Sequence, residues 1–147
     1  MTAAIGNLTN LRNMHINGGG FSGPMPAAIG NLTNLRNVLI IDGGFSGTMP
    51  SAIGRLTNLK TLEIHDAYIG TIPYAIGQLK QLTWLDLAGC NFSGSIPSSV
   101  FNLTKLTKLD LSYNSLRGKS ITNFFLLHAY TFIREFFRVQ NLPFQSY

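Results

Sequence analysis

Cysteine is nearly missing: Cys90 stands alone in 147 residues, so no disulfide can form within the chain. A thiol becomes reactive in an open, electropositive setting. The segment around it, LDLAGCNFSGSIP, holds no Lys, Arg or His, so Cys90 reads as a small buried residue in a turn. Charge is scarce too, at 12% of residues, with 11 basic against 6 acidic side chains and a formal net charge of +5. No Lys/Arg run occurs; Arg12, Arg36 and Lys60 recur at matched positions and mark a solvated flank. That excludes the basic patch of a nucleic-acid binder. No stretch reaches the roughly 18–20 apolar residues of a membrane span. Nothing at the start reads as a secretion leader, because Met1 opens directly onto patterned sequence without a charged segment or a long apolar run.

Catalytic constellations are also missing. The histidines are His15, His65 and His128, far apart in the chain. His65 has Glu63 on the same strand face and Asp66 beside it; a solvated strand face explains that trio better than a metal or acid–base site. Gly18, Gly19 and Gly20 follow a strand but do not open a helix, so they form no phosphate loop, and neither G-x-S-x-G nor kinase motifs occur. The expectation is a non-enzyme with no catalytic residues, no metal and no cofactor.

What the chain does have is a repeat. Residues 73–96 read PYAIGQLKQLTWLDLAGCNFSGSI, and the blocks 2–25, 26–49, 50–72 and 97–120 copy it, the third one residue short near Ile69. A period of about 24 residues over five units is the signature of a solenoid, in which each unit buries its apolar face only against its neighbours. Within a unit the apolar spacing tightens from three to two. Leu85 and Leu87 flank Asp86 at the strand period and share a face. Short parallel strands are therefore expected around Met14–Ile16, Val38–Ile40, Leu62–Ile64, Leu85–Leu87 and Leu109–Leu111. The inward set of the fourth unit is Ile76, Leu79, Leu82, Leu85, Leu87, Phe92 and Ile96.

The pattern L-x-x-L-x-x-L-x-L-x-x-N-x-F-S-G-x-I-P, with the endings FSGPMP, FSGTMP and FSGSIP, resembles the plant extracellular leucine-rich repeat family over residues 2–120. The wording is similar to receptor-like proteins and receptor-like kinases, the immune receptors among them more than the hormone receptors. The resemblance implies an α/β-type solenoid of about five repeats with its strands on a concave face. It further implies an incomplete ectodomain at the outer face of the plasma membrane or in the apoplast. Such a module recognises a peptide or protein ligand in defence or developmental signalling and works with a co-receptor kinase. The alternatives are a soluble inhibitor of microbial cell-wall-degrading enzymes, or a truncated piece without its own ligand. Family members carry an Asn after the strand that bonds turn backbone. Here the five positions hold Gly19, Gly43, Ala67, Cys90 and Asn114, so only Asn114 is expected to make that bond, and the first turns are expected to be looser.

Strand alternation assigns the ligand surface. The outward residues form columns, one of which reads His15, Leu39, Glu63, Asp86, Asp110. The candidate ligand-binding residues are Leu39, Ile41, Glu63, His65, Trp84, Asp86, Asp110 and Tyr113. Trp84 and Tyr113 are the expected anchors, and the three acids are expected to orient a cationic group. Asp in L-D-L-S is also ordinary repeat wording, which is the plainer explanation for two of those acids. Four N-x-S/T sequons, at Asn7, Asn31, Asn91 and Asn102, are candidate glycosylation sites in a secreted chain, and three of them share one repeat phase. Residues 121–147 break the pattern and hold eight of the sixteen aromatic residues. Phe124, Leu127, Tyr130 and Phe132 fit a degenerate strand unit; Phe125, Ala129, Phe132 and Phe136 fit one face of a helix. A helix-like hydrophobic cap is the favoured expectation.

Overall fold

The computed structural model describes residues 3–66, 70–117 and 137–138. Each unit begins with a five-residue 3-10 segment: η1 (Ala3–Asn7), η2 (Ala27–Asn31), η3 (Ser51–Arg55), η4 (Tyr74–Gln78) and η5 (Ser98–Asn102). A proline precedes the last four. Pro26, for example, sits at φ −68° and ψ 142°, and its carbonyl accepts a bond from Ile29 N at 3.0 Å. Proline fixes the φ needed to enter the turn and has no N–H to leave unpaired. The i→i+3 pattern then continues with Leu32 N to Ile29 O at 3.0 Å and Leu35 N to Leu32 O at 2.9 Å. Runs this short suit the tighter 3-10 winding.

The strands are β1 (Asn13–Asn17), β2 (Asn37–Ile41), β3 (Thr61–His65), β4 (Trp84–Asp86), β5 (Ser93–Gly94), β6 (Lys108–Asp110), β7 (Ser115–Leu116) and β8 (Phe137–Arg138). Six of them form one sheet in the order β1-β2-β3-β4-β6-β8, and every neighbouring pair is parallel. Met14 pairs with Val38, Val38 with Leu62, Leu62 with Leu85 and Leu85 with Leu109. The single-residue shortening of the third unit is thus absorbed before β4. A second, two-stranded sheet joins β5 to β7 in the turns that follow the main strands.

The inward residues of all five units form one continuous core. The seven expected in the fourth unit are each 5% exposed or less. The 3-10 segments line the side of that core away from the strands and stack very closely. A Cβ on Gly30 would lie 2.7 Å from Ala52 O, and one on Gly54 would lie 2.6 Å from Ala75 O. Glycine is needed there for space, not for an unusual φ.

One expectation about the turns is corrected. Cys90 is buried in its turn as expected, but Asn114 is not alone in bonding the preceding unit: Cys90 Sγ donates to Ile64 O at 3.0 Å, as Asn114 Nδ2 donates to Leu87 O at 2.7 Å. The turn at Gly43 is closely packed. A Cβ there would meet the Ile40 side chain at 2.5 Å and the Phe45 ring at 3.0 Å, and the Phe45 ring stacks on Phe21 at 5.6 Å. Ala67 lies outside the described residues, as do both expected placements of the tail between Phe124 and Phe136. Beyond them, β8 adds a sixth strand, with Phe137 opposite Leu109 and Arg138 opposite Asp110. The spacing of the tail did not point to it.

Candidate functional site

The outward side chains of the sheet stand in three columns, because parallel strands in register put equivalent residues abreast. The first column is Asn13, Asn37, Thr61, Trp84 and Lys108. Asn37 Nδ2 donates to Asn13 Oδ1 at 2.6 Å, and Thr61 Oγ1 donates to Asn37 Oδ1 at 3.1 Å, so its leading half is a ladder of side-chain hydrogen bonds. Its trailing half is a cation–π contact, with Lys108 Nζ 4.4 Å from the centroid of the Trp84 ring. Trp84 is half-buried, and its ring already faces a cation from this chain.

The second column is His15, Leu39, Glu63, Asp86 and Asp110, as the alternation requires. The three acids differ in what holds them. Asp86 Oδ1 accepts the Ala88 N–H at 3.1 Å and lies 3.6 Å from His65 Nε2. Asp110 Oδ1 accepts the Ser112 N–H at 2.9 Å and the Ser112 hydroxyl at 2.6 Å. Both aspartates therefore close the strand end, which is the structural role of the L-D-L-S wording. Glu63 has no such duty: among the described residues its carboxylate accepts no hydrogen bond and forms no ion pair. Burial and then the neighbouring Asp86 charge push its pKa up, partly offset by His65 and Lys108. Asp86 is also raised, first by burial; the Ala88 N–H and His65 pull the other way, and Asp110 adds to the rise. Like charges abreast on a half-buried face oppose ionisation.

The third column brings Asn17, Ile41 and His65 into line. Leu39 and Ile41 are half-exposed on β2, beside the hydrogen-bonded amides. Ser112, which strict alternation after Asp110 would put outward, lies past the end of β6 and is buried at 1% exposure, with its hydroxyl donating to Asp110 Oδ1. Tyr113 follows at φ 56° and is 65% exposed, at the rim and not in a column. The face thus gathers Leu39, Ile41, Glu63, His65, Trp84, Asp86 and Asp110, while Tyr113 stands at its margin. Lys108 belongs to the face as well; its place opposite Trp84 was the signal for it. All four sequon asparagines are exposed, and none lies in a strand.

The family model described as Leucine Rich Repeat matches residues 81–103 and 105–127. No curated protein matches the chain. Among solved structures, the leucine-rich repeat ectodomain of the Arabidopsis receptor kinase HAESA, in complex with an N-terminally extended IDA peptide hormone, is 35% identical with a TM-score of 0.78; the match covers 84% of this chain and 22% of that one. The same receptor in complex with IDA and the co-receptor SERK1 matches at 35% identity and TM-score 0.77, over 81% of this chain and 20% of that one. The TDR receptor is 34% identical with TM-score 0.77, over 80% of this chain and 21% of that one. The chain spans only 20–22% of the length of these solved chains. Among the described residues no helix is long and apolar enough to cross a membrane, and no group of three His, Cys, Asp or Glu side chains could hold a metal ion.

Proposed function

The chain is a plant-type leucine-rich repeat protein, and on that premise we propose that it is a recognition module of a receptor-like protein or receptor-like kinase. Its outward sheet face holds a peptide or protein ligand on the extracellular side, and a co-receptor kinase joins the complex, in defence or developmental signalling. The observation that carries this reading is the face itself. Its strand backbones are paired, yet Leu39, Ile41 and Trp84 remain half-exposed beside Glu63, a carboxylate that no group in the described chain satisfies. Aromatic and apolar anchors next to a few polar groups are what a binding surface needs. Complexes of HAESA with a peptide hormone and a co-receptor support the choice of ligand class.

The side chains divide the task. Leu39 and Ile41 offer apolar contact on β2. Glu63 offers an acceptor for a cationic group of the ligand. Trp84, held by Lys108, gives a rigid ring, while Asp86 and Asp110 add negative charge from fixed positions. The test is a selection of displayed random peptides on the immobilised full chain. Enriched peptides that lose binding to a Trp84→Ala/Glu63→Gln double variant, its fold checked by circular dichroism, are the expected result. No enrichment, or peptides that bind the variant equally well, would refute the reading.

A further inference from the structure

We propose that Arg12, Arg36 and Lys60 form a binding row for a linear acidic polysaccharide, a sugar polymer with a carboxylate on each ring. The row lies on the flank where the chain enters the main sheet, and it shares no residue with the ligand face. Each cation directly precedes a main strand, β1, β2 or β3. All three are exposed. Backbone bonds join them in order: Arg36 N donates to Arg12 O and Lys60 N to Arg36 O, both at 2.7 Å. Neighbouring strands of a sheet lie about 4.8 Å apart, so the three side chains leave the backbone at that interval.

These charges are left over by the fold. Among the described residues, none of the three side chains makes a hydrogen bond, an ion pair or a ring contact. Cations of the later units are used: Lys80 Nζ donates to Asn102 O at 3.1 Å, Lys105 Nζ donates to Gln81 Oε1 at 2.6 Å, and Lys108 lies over Trp84. Where the row itself continues, Thr83 and Thr107 replace the cation. Their hydroxyls donate to Lys60 O and Thr83 O, each at 3.0 Å. No acid of the described residues offsets the row. Asp42, Glu63, Asp66, Asp86 and Asp110 all lie in a main strand or directly after one, never before it. Like charges abreast repel. An anion that repeats its charge along the row removes that repulsion.

The neighbours of the row select the polymer. Leu35 and Leu59 are 0% exposed, so the residues on either side of each point outward together: Asn34 with Arg36, and Asn58 with Lys60. Asn34 Nδ2 donates to Thr9 O and Asn58 Nδ2 to Thr33 O, both at 2.9 Å, which fixes the two amides. Their Oδ1 atoms accept no hydrogen bond among the described residues. Fixed acceptors beside cations match a chain that offers hydroxyl donors between carboxylates. A guanidinium holds a carboxylate with two parallel N–H bonds. A protein partner needs apolar or aromatic anchors, and Leu32, Leu35, Leu56 and Leu59 of this flank are all 0% exposed. A nucleic acid needs rings to stack on or a longer run of cations; residues 7–12, 31–36 and 55–60 hold no aromatic side chain. The polysaccharide tethers the molecule by its flank and leaves the sheet face open.

The experiment is affinity electrophoresis of the full chain through native gels containing polygalacturonate, with dextran as the neutral control. Retardation by polygalacturonate alone is expected, and it should fade as salt is added. Arg36→Gln/Lys60→Gln should weaken binding about tenfold or more. Arg55→Gln/Arg117→Gln removes the same charge at exposed positions off the row and should bind like the parent chain. Circular dichroism checks the fold of both variants. No retardation overturns the inference, and so does equal weakening by the two variants, which would make net charge the cause. Equal retardation by fully methyl-esterified polymer, or by single-stranded DNA, also overturns it, because the carboxylates of a sugar chain would then not be what is bound.

Discussion

Asn114 shows how much one residue can hold. Its Nδ2 donates to Leu87 O at 2.7 Å and Leu111 O at 3.0 Å, and its Oδ1 accepts Phe92 N at 2.8 Å, so it ties two units together through their turns. Asn114→Ala would remove these bonds, leaving the part-buried carbonyls of Leu87 and Leu111 without this donor. The expected loss is about 2 kcal/mol or more, read from urea denaturation, since each buried group left unpaired costs roughly 1–3 kcal/mol. Glu63 behaves in the opposite sense. A carboxylate whose pKa is raised in the fold is harder to ionise there than in the unfolded chain. The folded state is therefore penalised at neutral pH, and the penalty fades as pH falls below the ordinary carboxylate pKa of about 4. Glu63→Gln should raise the melting temperature at pH 7, with the gain gone near pH 3. A gain that persists at pH 3 would show that charge is not its cause. The sequence singled out Asn114 correctly, but it said nothing of Cys90 as a donor, because a thiol is a weak one and only the position of Ile64 O makes it useful.

Among the elements, the 3-10 segments depend most on one residue type. Gly6, Gly30, Gly54 and Gly77 each sit where the next segment's backbone or small side chain comes closest. The fifth unit has Phe101 at the same position, which fits a pattern that ends after it. Gly54→Ala should therefore destabilise the fold by about 1–3 kcal/mol, although Ala is the better helix former, because the added methyl meets the Ala75 carbonyl. Thermal unfolding of this variant beside Ser51→Ala, at an exposed position of the same segment, separates crowding from propensity. Strand positions were legible because period-two spacing inside a 24-residue repeat leaves a single register. The turns were less so: Gly43 looks open in the sequence, while the structure puts Ile40 and the Phe45 ring against the place where its side chain would stand. β8 was not legible, since its place beside β6 rests on pairing across a segment without the repeat.

The whole molecule turns on one alternation. Along each main strand, successive side chains go to the core and to the outward face, and five units in register make one side a continuous apolar core and the other a surface of columns. The membership of that surface was readable in advance; its internal bonds were not. The sequence could not say that Asp86 and Asp110 spend their oxygens on strand ends, that Lys108 covers Trp84, or that Glu63 is left over. The direct test compares Leu85→Ala with Trp84→Ala by chemical denaturation. Leu85 is 0% exposed, and its truncation should cost roughly 2–5 kcal/mol. Trp84→Ala, which removes an outward ring and its contact with Lys108, should cost about 1 kcal/mol or less. If Trp84→Ala proves the costlier of the two, the register is wrong by one residue and the outward face is not the one described.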